Sequence, residues 1–263
     1  MTILKQKSHP AVVQSNSARL AARPLPCGGT PTPTWLADPF EAPVFDLSGC
    51  PELVLAGAHP DDETLGFGAS ASRLARAGVR VQIVSASDGG ASHPNCSVLQ
   101  RYQLERTRRS ELHRAARALG VAQPICLGLP DGELAAHEQR LTDLLTEVLA
   151  AKPPGTWCAA TWRGDGHPDH EAVGRAAAVA AQRTGAVLVE YPVWMWHWAS
   201  PGDDAVPWQR MAKVALEESD VGRKRLAAKS FRSQFLPPAP GAAPVLPPAV
   251  LHRLLAVGEV VFR

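Results

Sequence analysis

"ELVLAGAHPDDETLGFGASASRLARAGVRVQIVSAS", residues 52–87, reads as strand, helix, strand. Glu52–Ala58 has the length and apolar content of a strand. From Gly66 the small and apolar residues fall at helical spacing and stop at Gly78. Val79–Ser87 is a second strand. Between the first strand and the helix the chain runs His59-Pro60-Asp61-Asp62-Glu63, so an apolar strand opens onto an imidazole and three carboxyl groups.

The same alternation continues. Residues 98–120 predict a long helix, with Leu104, Leu112, Ala115 and Leu119 on one face and Gly120 as its stop. "PICLGL", residues 124–129, is a third strand. Leu141, Leu144, Leu145 and Leu149 mark another amphipathic helix. "TWCAATW" (156–162) is a fourth strand, an Ala-rich helix follows from His170, and "AVLVEYPVW" (186–194) is a fifth strand. Strands alternating with helices predict an α/β fold, a mostly parallel sheet with helices on both faces. In such sheets ligands bind beyond the carboxyl ends of the strands, where His59–Glu63 falls.

A dinucleotide-binding turn does not fit. Gly57 is followed by acids, Gly66 and Gly68 come too late for the G-x-G-x-x-G pattern, and carboxylates there repel a pyrophosphate.

A second motif, "GDGHPDH" (164–170), also follows a strand and precedes a helix. Both strand ends point the same way in a parallel sheet, so the two motifs can converge. His59, Asp62 and His170 form the two-histidine, one-carboxylate set that suits Zn²⁺ with an open coordination position. Asp61 is placed as a general base for water. His167 is placed to stabilise an oxyanion or protonate a leaving amine, and Asp169 to hold its ring in one tautomer. The plainer reading, an Asp-Asp helix cap beside a His-Pro turn, explains one such motif more readily than two. For Ser92-His93-Pro94 the turn reading is preferred.

"AHPDDE" with the distal "HPDH" resembles the PIG-L/LmbE family of zinc-dependent N-acetylglucosaminyl deacetylases. The resemblance runs from Glu52 to Gln234 in motif order. It implies a Rossmann-like fold and hydrolysis of an N-acyl group on an amino-sugar conjugate, with one Zn²⁺ per chain and Fe²⁺ as the alternative ion. His59, Asp62 and His170 fall on the family's metal ligands, Asp61 on its base, and His167 and Asp169 on its histidine and supporting acid. Weaker matches place Arg108, Asp131 and Gln234 at substrate-binding positions. A solvated basic helix face, a Pro-Asp-Gly turn and a helix-end cap are the competing readings of those three. The mycothiol branch of the family carries Tyr where this chain has Asp165, which argues against that branch's substrate.

The whole chain sets the frame. Its 263 residues with 45% hydrophobic content suit a sizeable core, and a net charge of +2 points to no nucleic-acid partner. Five widely spaced cysteines without a CxxC speak against disulfides or a Cys-type zinc site. No stretch approaches the roughly 20 apolar residues of a membrane span, Met1–Leu20 lacks a signal-peptide core, and the cytoplasm is the default location. Residues 1–45 read as a Pro-rich leader, extended or partly disordered, and 46–263 as one α/β domain. Leu236–Pro248 reads as a Pro-rich loop. Trp194, Trp196 and Trp198 either line a groove for a sugar face or apolar tail or pack beneath the leader, and packing is preferred. The expected partner is a small N-acyl amino-sugar conjugate, without nucleic acid or stable membrane insertion; homo-oligomer formation stays open. Two alternatives are kept: a deacylase of another N-acylated small molecule in natural-product tailoring, and a non-catalytic metal- or sugar-binding homologue.

Overall fold

The computed structural model describes residues 14–37, 41–93, 96–239 and 241–263. The reading of residues 1–13, the Pro94 half of the Ser92–Pro94 turn and Pro240 of the C-terminal loop lie outside the described residues. The chain begins with α1 (Asn16–Ala21), a 3₁₀ turn at Leu25–Cys27, α2 (Thr32–Ala37) and β1 (Val44–Phe45). Then follow β2 (Glu52–Gly57), α3 (Asp62–Arg76), β3 (Arg80–Ser87), α4 (Val98–Leu119), β4 (Ile125–Leu129), α5 (Glu138–Ala150), β5 (Trp157–Thr161) and α6 (Pro168–Thr184). The last part holds β6 (Val187–Tyr191), α7 (Met195–Trp198), β7 (Met211–Val214), α8 (Glu218–Ala228), α9 (Arg232–Phe235), α10 (Pro248–Ala256) and β8 (Val260–Phe262).

The five strands expected from sequence are all present, and neighbours among them pair in parallel. Among the described residues the sheet has eight strands, in the order β1-β7-β8-β6-β5-β2-β3-β4. Strand β8 runs antiparallel to both β6 and β7. It lies beyond the Pro-rich loop at Leu236–Pro248, where no strand was expected.

Alternation along β2 sends Leu53 and Leu55 into one apolar cluster, with α3 and α4, and Val54 and Ala56 into a second, with α5 and α6. All four side chains are essentially inaccessible to solvent, as a parallel sheet covered on both faces requires.

Strand order decides where a site can form. The chain builds β2, β3 and β4 outward in one direction, then returns to lay β5 on the other side of β2. The loops leaving β2 and β5 therefore diverge around a crevice at their carboxyl ends. The two His-Pro-Asp motifs are those two loops.

The leader differs from expectation. Where an extended or partly disordered leader was expected, Asn16–Ala21 and Thr32–Ala37 are helical, and the first is capped by the Ser15 hydroxyl accepting from the Ala18 N–H at 3.2 Å. The segment is fastened to the domain. Arg19 makes a two-pronged ion pair with Asp203 at 2.7 and 2.9 Å, and Asn16 donates to the Gly164 carbonyl at 2.8 Å. Trp35 of α2 is buried and packs edge-on against Trp196 with ring centres 4.9 Å apart. All five cysteines are free.

Candidate metal centre and active site

The β2 loop delivers the first group of side chains. Asp61 has φ = 139°, the one positive φ among the described non-glycine residues. Such a conformation costs on the order of 1–3 kcal/mol and persists where surrounding contacts hold it. The Asp61 carboxylate does not cap α3; it pairs instead with buried Arg108 of α4, Nη2 to Oδ2 at 3.1 Å. Arg108 also donates to the Pro60 carbonyl and the Gly89 carbonyl, both at 2.9 Å, so it ties the loop to the end of β3.

The β5 loop delivers the second group. Gly166 takes φ = 91° directly before His167, and a Cβ there would meet the Trp198 indole at 2.7 Å. His167 is the N-cap of α6 with Pro168 in the first turn, a favourable start for a helix. Helical geometry then turns His170 back over the strand ends.

The two loops meet. Ring centres of His59 and His170 lie 5.5 Å apart, those of His59 and His167 5.0 Å, and those of His167 and His170 4.8 Å. Ligand atoms of His59, Asp62 and His170 all lie within 4.8 Å of one another, as do those of His59, His167 and Asp169. Three of the expected metal ligands are thus brought together from motifs over a hundred residues apart.

The donor atoms fit a divalent cation. His170 Nδ1 donates to Asp165 Oδ2 at 2.8 Å, which leaves its Nε2 as a lone pair. That Nε2 is buried without a hydrogen-bond partner and faces Asp62 Oδ1 at 3.1 Å. On His59, Nε2 lies 3.0 Å from Asp131 and 3.2 Å from Asp169, so the proton belongs there. His59 Nδ1 is then left on the Asp62 side, at 3.2 Å. Two imidazole lone pairs facing one buried carboxylate form a set that binds a cation.

The electrostatics agree. Burial alone would depress His170, but Asp62 and Asp165 outweigh it and raise the ring to about 9. Burial likewise opposes a charged His59, yet Asp131, Asp169 and Asp62 hold it well above its ordinary value. Burial would raise Asp62, but His170 and His59 hold it well below the usual carboxylate range. This cluster of carboxylates calls for positive charge at its centre. Burial pushes Asp61 up to about 7 against the pull of Arg108, near the value a base needs at neutral pH. Burial, with His170 and His59 nearby, pushes His167 down to about 3.

Some contacts differ from expectation. The Asp169 carboxylate accepts from the Gly132 and Leu134 N–H groups at 2.8 and 3.0 Å and lies against His59. The His167 tautomer is set instead by the Asp169 backbone N–H, which donates to Nδ1 at 3.2 Å and leaves the proton on Nε2. Asp131 holds His59 and accepts from the Ala91 N–H at 2.6 Å, and its carboxyl is lowered to about 2, burial being outweighed by His59. Gln234 donates to Ser233 and Ser92 at 3.0 and 3.4 Å. Arg108, Asp131 and Gln234 all line the same ≈ 410 Å³ cavity as His59, Asp61, Asp62 and His167.

Sequence reasoning noted Asp165 only as a departure from the mycothiol branch and gave it no role beside His170. Fully buried, it accepts from the Val193, Trp194 and Met195 N–H groups, each at 2.9 Å, as well as from His170. Its place between a strand end and HPDH was the available signal. Trp196 and Trp198 are core residues, as preferred from sequence, whereas Trp194 reaches the cavity wall.

An imidazole pair and a carboxylate at the switch point of a doubly covered sheet define an α/β protein with a candidate metal centre. Comparison with known proteins specifies it further. Residues 54–181 match the family model PIG-L, GlcNAc-PI de-N-acetylase. The chain is 30% identical over 222 residues to the 1D-myo-inositol 2-acetamido-2-deoxy-alpha-D-glucopyranoside deacetylase of Mycobacterium leprae, covering 73% of this chain and 70% of that protein. The chain belongs to the PIG-L family. Solved structures share the fold. The N,N'-diacetylchitobiose deacetylase of Pyrococcus horikoshii aligns with TM-score 0.54 at 23% identity, covering 73% of this chain and 74% of that one. A deacetylase–teicoplanin complex aligns with TM-score 0.58 at 17% identity, covering 80% and 96%. No described helix is long and apolar enough to cross a membrane.

Proposed function

We infer that this protein is a metal-dependent N-deacetylase that hydrolyses the N-acetyl group of an amino-sugar conjugate of the N-acetylglucosamine type. The observation that carries the reading is the convergence of His59, Asp62 and His170 at one cluster, beside a cavity lined by His59, Asp61, Asp62 and His167. Family membership and the deacetylase relatives support it. We assign the bound ion as Zn²⁺, one per chain, held by His59, Asp62 and His170, and the cytoplasm as the location. Residues 46–263 are assigned as the single catalytic domain, with the preceding residues as its leader.

A bound divalent cation supplies a Lewis acid beside the scissile amide. The chain's own residues do the rest. Asp61 Oδ takes the proton of the attacking water, and Arg108 keeps that carboxylate aimed into the cavity. The His167 Nε2–H donates to the developing oxyanion as the neutral ring. Asp61, now carrying the proton taken from water, delivers it to the amine nitrogen as the C–N bond breaks, releasing acetate and the free amine. Asp131, Arg108 and Gln234 are assigned to the sugar-facing wall. A non-catalytic homologue would have no use for Asp61 held in a strained conformation beside the ligand set.

The test is release of free amine from a panel of N-acetyl amino-sugar conjugates by the purified protein, alongside metal analysis. Stoichiometric zinc with amine release is expected. Zinc without release from any member would leave the binding-protein alternative.

A further inference from the structure

The cavity at the metal centre has two kinds of wall. His59, Asp61, Asp62, Asp131 and His167 give the cavity polar lining. The same cavity is also lined by Leu20, Pro24 and Leu25 of the leader, Trp194 after β6, and Val245 and Leu246 of the C-terminal Pro-rich loop. These side chains come from three segments distant in sequence, and none of them serves the hydrolytic step.

The leader's contribution is built into the fold. Arg253 of α10, 2% exposed, donates to the Gly28 and Thr30 carbonyls at 2.7 and 2.9 Å and to His197 Nδ1 at 2.9 Å. His197 in turn donates from Nε2 to the Arg23 carbonyl at 2.9 Å. The Leu246 N–H is fixed to the Gln234 carbonyl at 2.9 Å, joining the Pro-rich loop to the polar lining of the same cavity. Arg23, the charged leader residue at the cavity, turns its guanidinium onto the Thr30 hydroxyl at 2.9 Å. A wall held by buried polar contacts, yet offering carbon to the cavity, is suited to binding rather than to closing off solvent at random.

Resting on the deacetylase reading above, we propose that this wall is a subsite for an apolar alkyl or aryl group on the amino-sugar conjugate. The preferred substrate is amphiphilic, with its amide at the metal centre and its apolar group against Leu20, Leu25 and Leu246. The group arrives either as the aglycone or as the acyl chain, and the two place carbon on the same surface.

Two substrate arms separate these sources, both with the metal-loaded full chain. One is a set of N-acetylglucosamine β-glycosides with methyl, propyl and hexyl aglycones. The other is glucosamine carrying N-acetyl, N-butyryl or N-hexanoyl groups. The expected result is a KM that falls by up to about fourfold per added methylene in one arm and stays flat in the other. The arm that responds identifies the end of the substrate in the subsite. Leu20→Ser and Leu25→Ser, made separately at half-buried positions, should each flatten that slope. A slope unchanged in both variants overturns the proposal. In parallel, hexyl and methyl β-glucosides, which carry no amide, are titrated calorimetrically, and tighter binding of the hexyl form reads the subsite without turnover. Turnover of the short members with flat KM in both arms and equal glucoside binding overturns the subsite and leaves the deacetylase intact. Tighter hexyl binding with no amine release from any member overturns the deacetylase reading and leaves the subsite.

Discussion

Asp165 Oδ2 lies 2.8 Å from His170 Nδ1, and both side chains are completely buried. One carboxylate thereby sets the tautomer of His170, the proposed metal ligand, and receives three backbone N–H groups from residues 193–195. The candidate metal centre and the turn after β6 share a single pin. Asp165→Asn places an amide N–H₂ against groups that already donate, so His170 loses its fixed tautomer. Metal affinity should fall about 10- to 100-fold, read by competition with a chelator. Unchanged affinity would show that His170 is oriented by other contacts.

Asp61→Asn keeps the size of the side chain. It removes the proposed base. Turnover should drop by roughly 10²–10⁴-fold while zinc content stays stoichiometric. Loss of zinc together with activity would instead make Asp61 a ligand.

Gly66 lies in α3 where it passes the buried Tyr191, whose hydroxyl donates to the Ala56 carbonyl at 2.8 Å. A Cβ at position 66 would stand 2.2 Å from the Tyr191 ring. Gly66→Ala must displace that ring or the helix, at a cost on the order of 1–3 kcal/mol. Thermal unfolding should show a Tm lower by several degrees, and a Tm equal to the parent's would mean the ring moves freely.

His197 gives a pH dependence remote from the metal. Its Nδ1 accepts from Arg253 and its Nε2–H donates to the Arg23 carbonyl, an arrangement open to the neutral ring. Burial, with Arg253 and Arg23 adjacent, holds the imidazole below its ordinary value. The unfolded chain therefore binds this proton more readily, and stability present above about pH 6.5 is lost as the pH falls. Tm should drop between about pH 7.5 and about pH 5.5, and the drop should be smaller in His197→Gln. Equal drops would assign the acid sensitivity to other groups.

Chelation should abolish amine release and lower Tm, because the ion binds the folded chain alone. At a free-ion concentration 100 times Kd the lost stabilisation is about 2.7 kcal/mol. Readdition of zinc should restore both, and full activity after exhaustive chelation would remove the metal from the reaction.

Much of this molecule is legible in the chain itself. The alternation of Leu53 and Leu55 with Val54 and Ala56 is a local pattern, and it places β2 in a sheet covered on both faces. Ligand types at 59, 62 and 170 are likewise local, since a histidine and an acid at a strand end offer the same donor atoms wherever the strand goes. Strand β8 was not legible, because its three residues gain their partners Glu190, Met211, Ala212 and Lys213 only from distant segments. The role of Asp169 was misplaced for a related reason: its carboxylate is claimed by the Gly132 and Leu134 N–H groups, which no spacing within HPDH reveals.

The sequence by itself determined the layered α/β class and the chemistry of the ligand set, because hydrophobic period and side-chain type act over a few residues. Only the tertiary structure decided which imidazole nitrogens face Asp62, that Asp165 fixes one of them, and that the leader supplies part of the cavity lining. Those outcomes depend on which carboxylates, backbone N–H groups and apolar side chains from remote segments arrive at one crevice. That arrival follows from the return of the chain to place β5 beside β2.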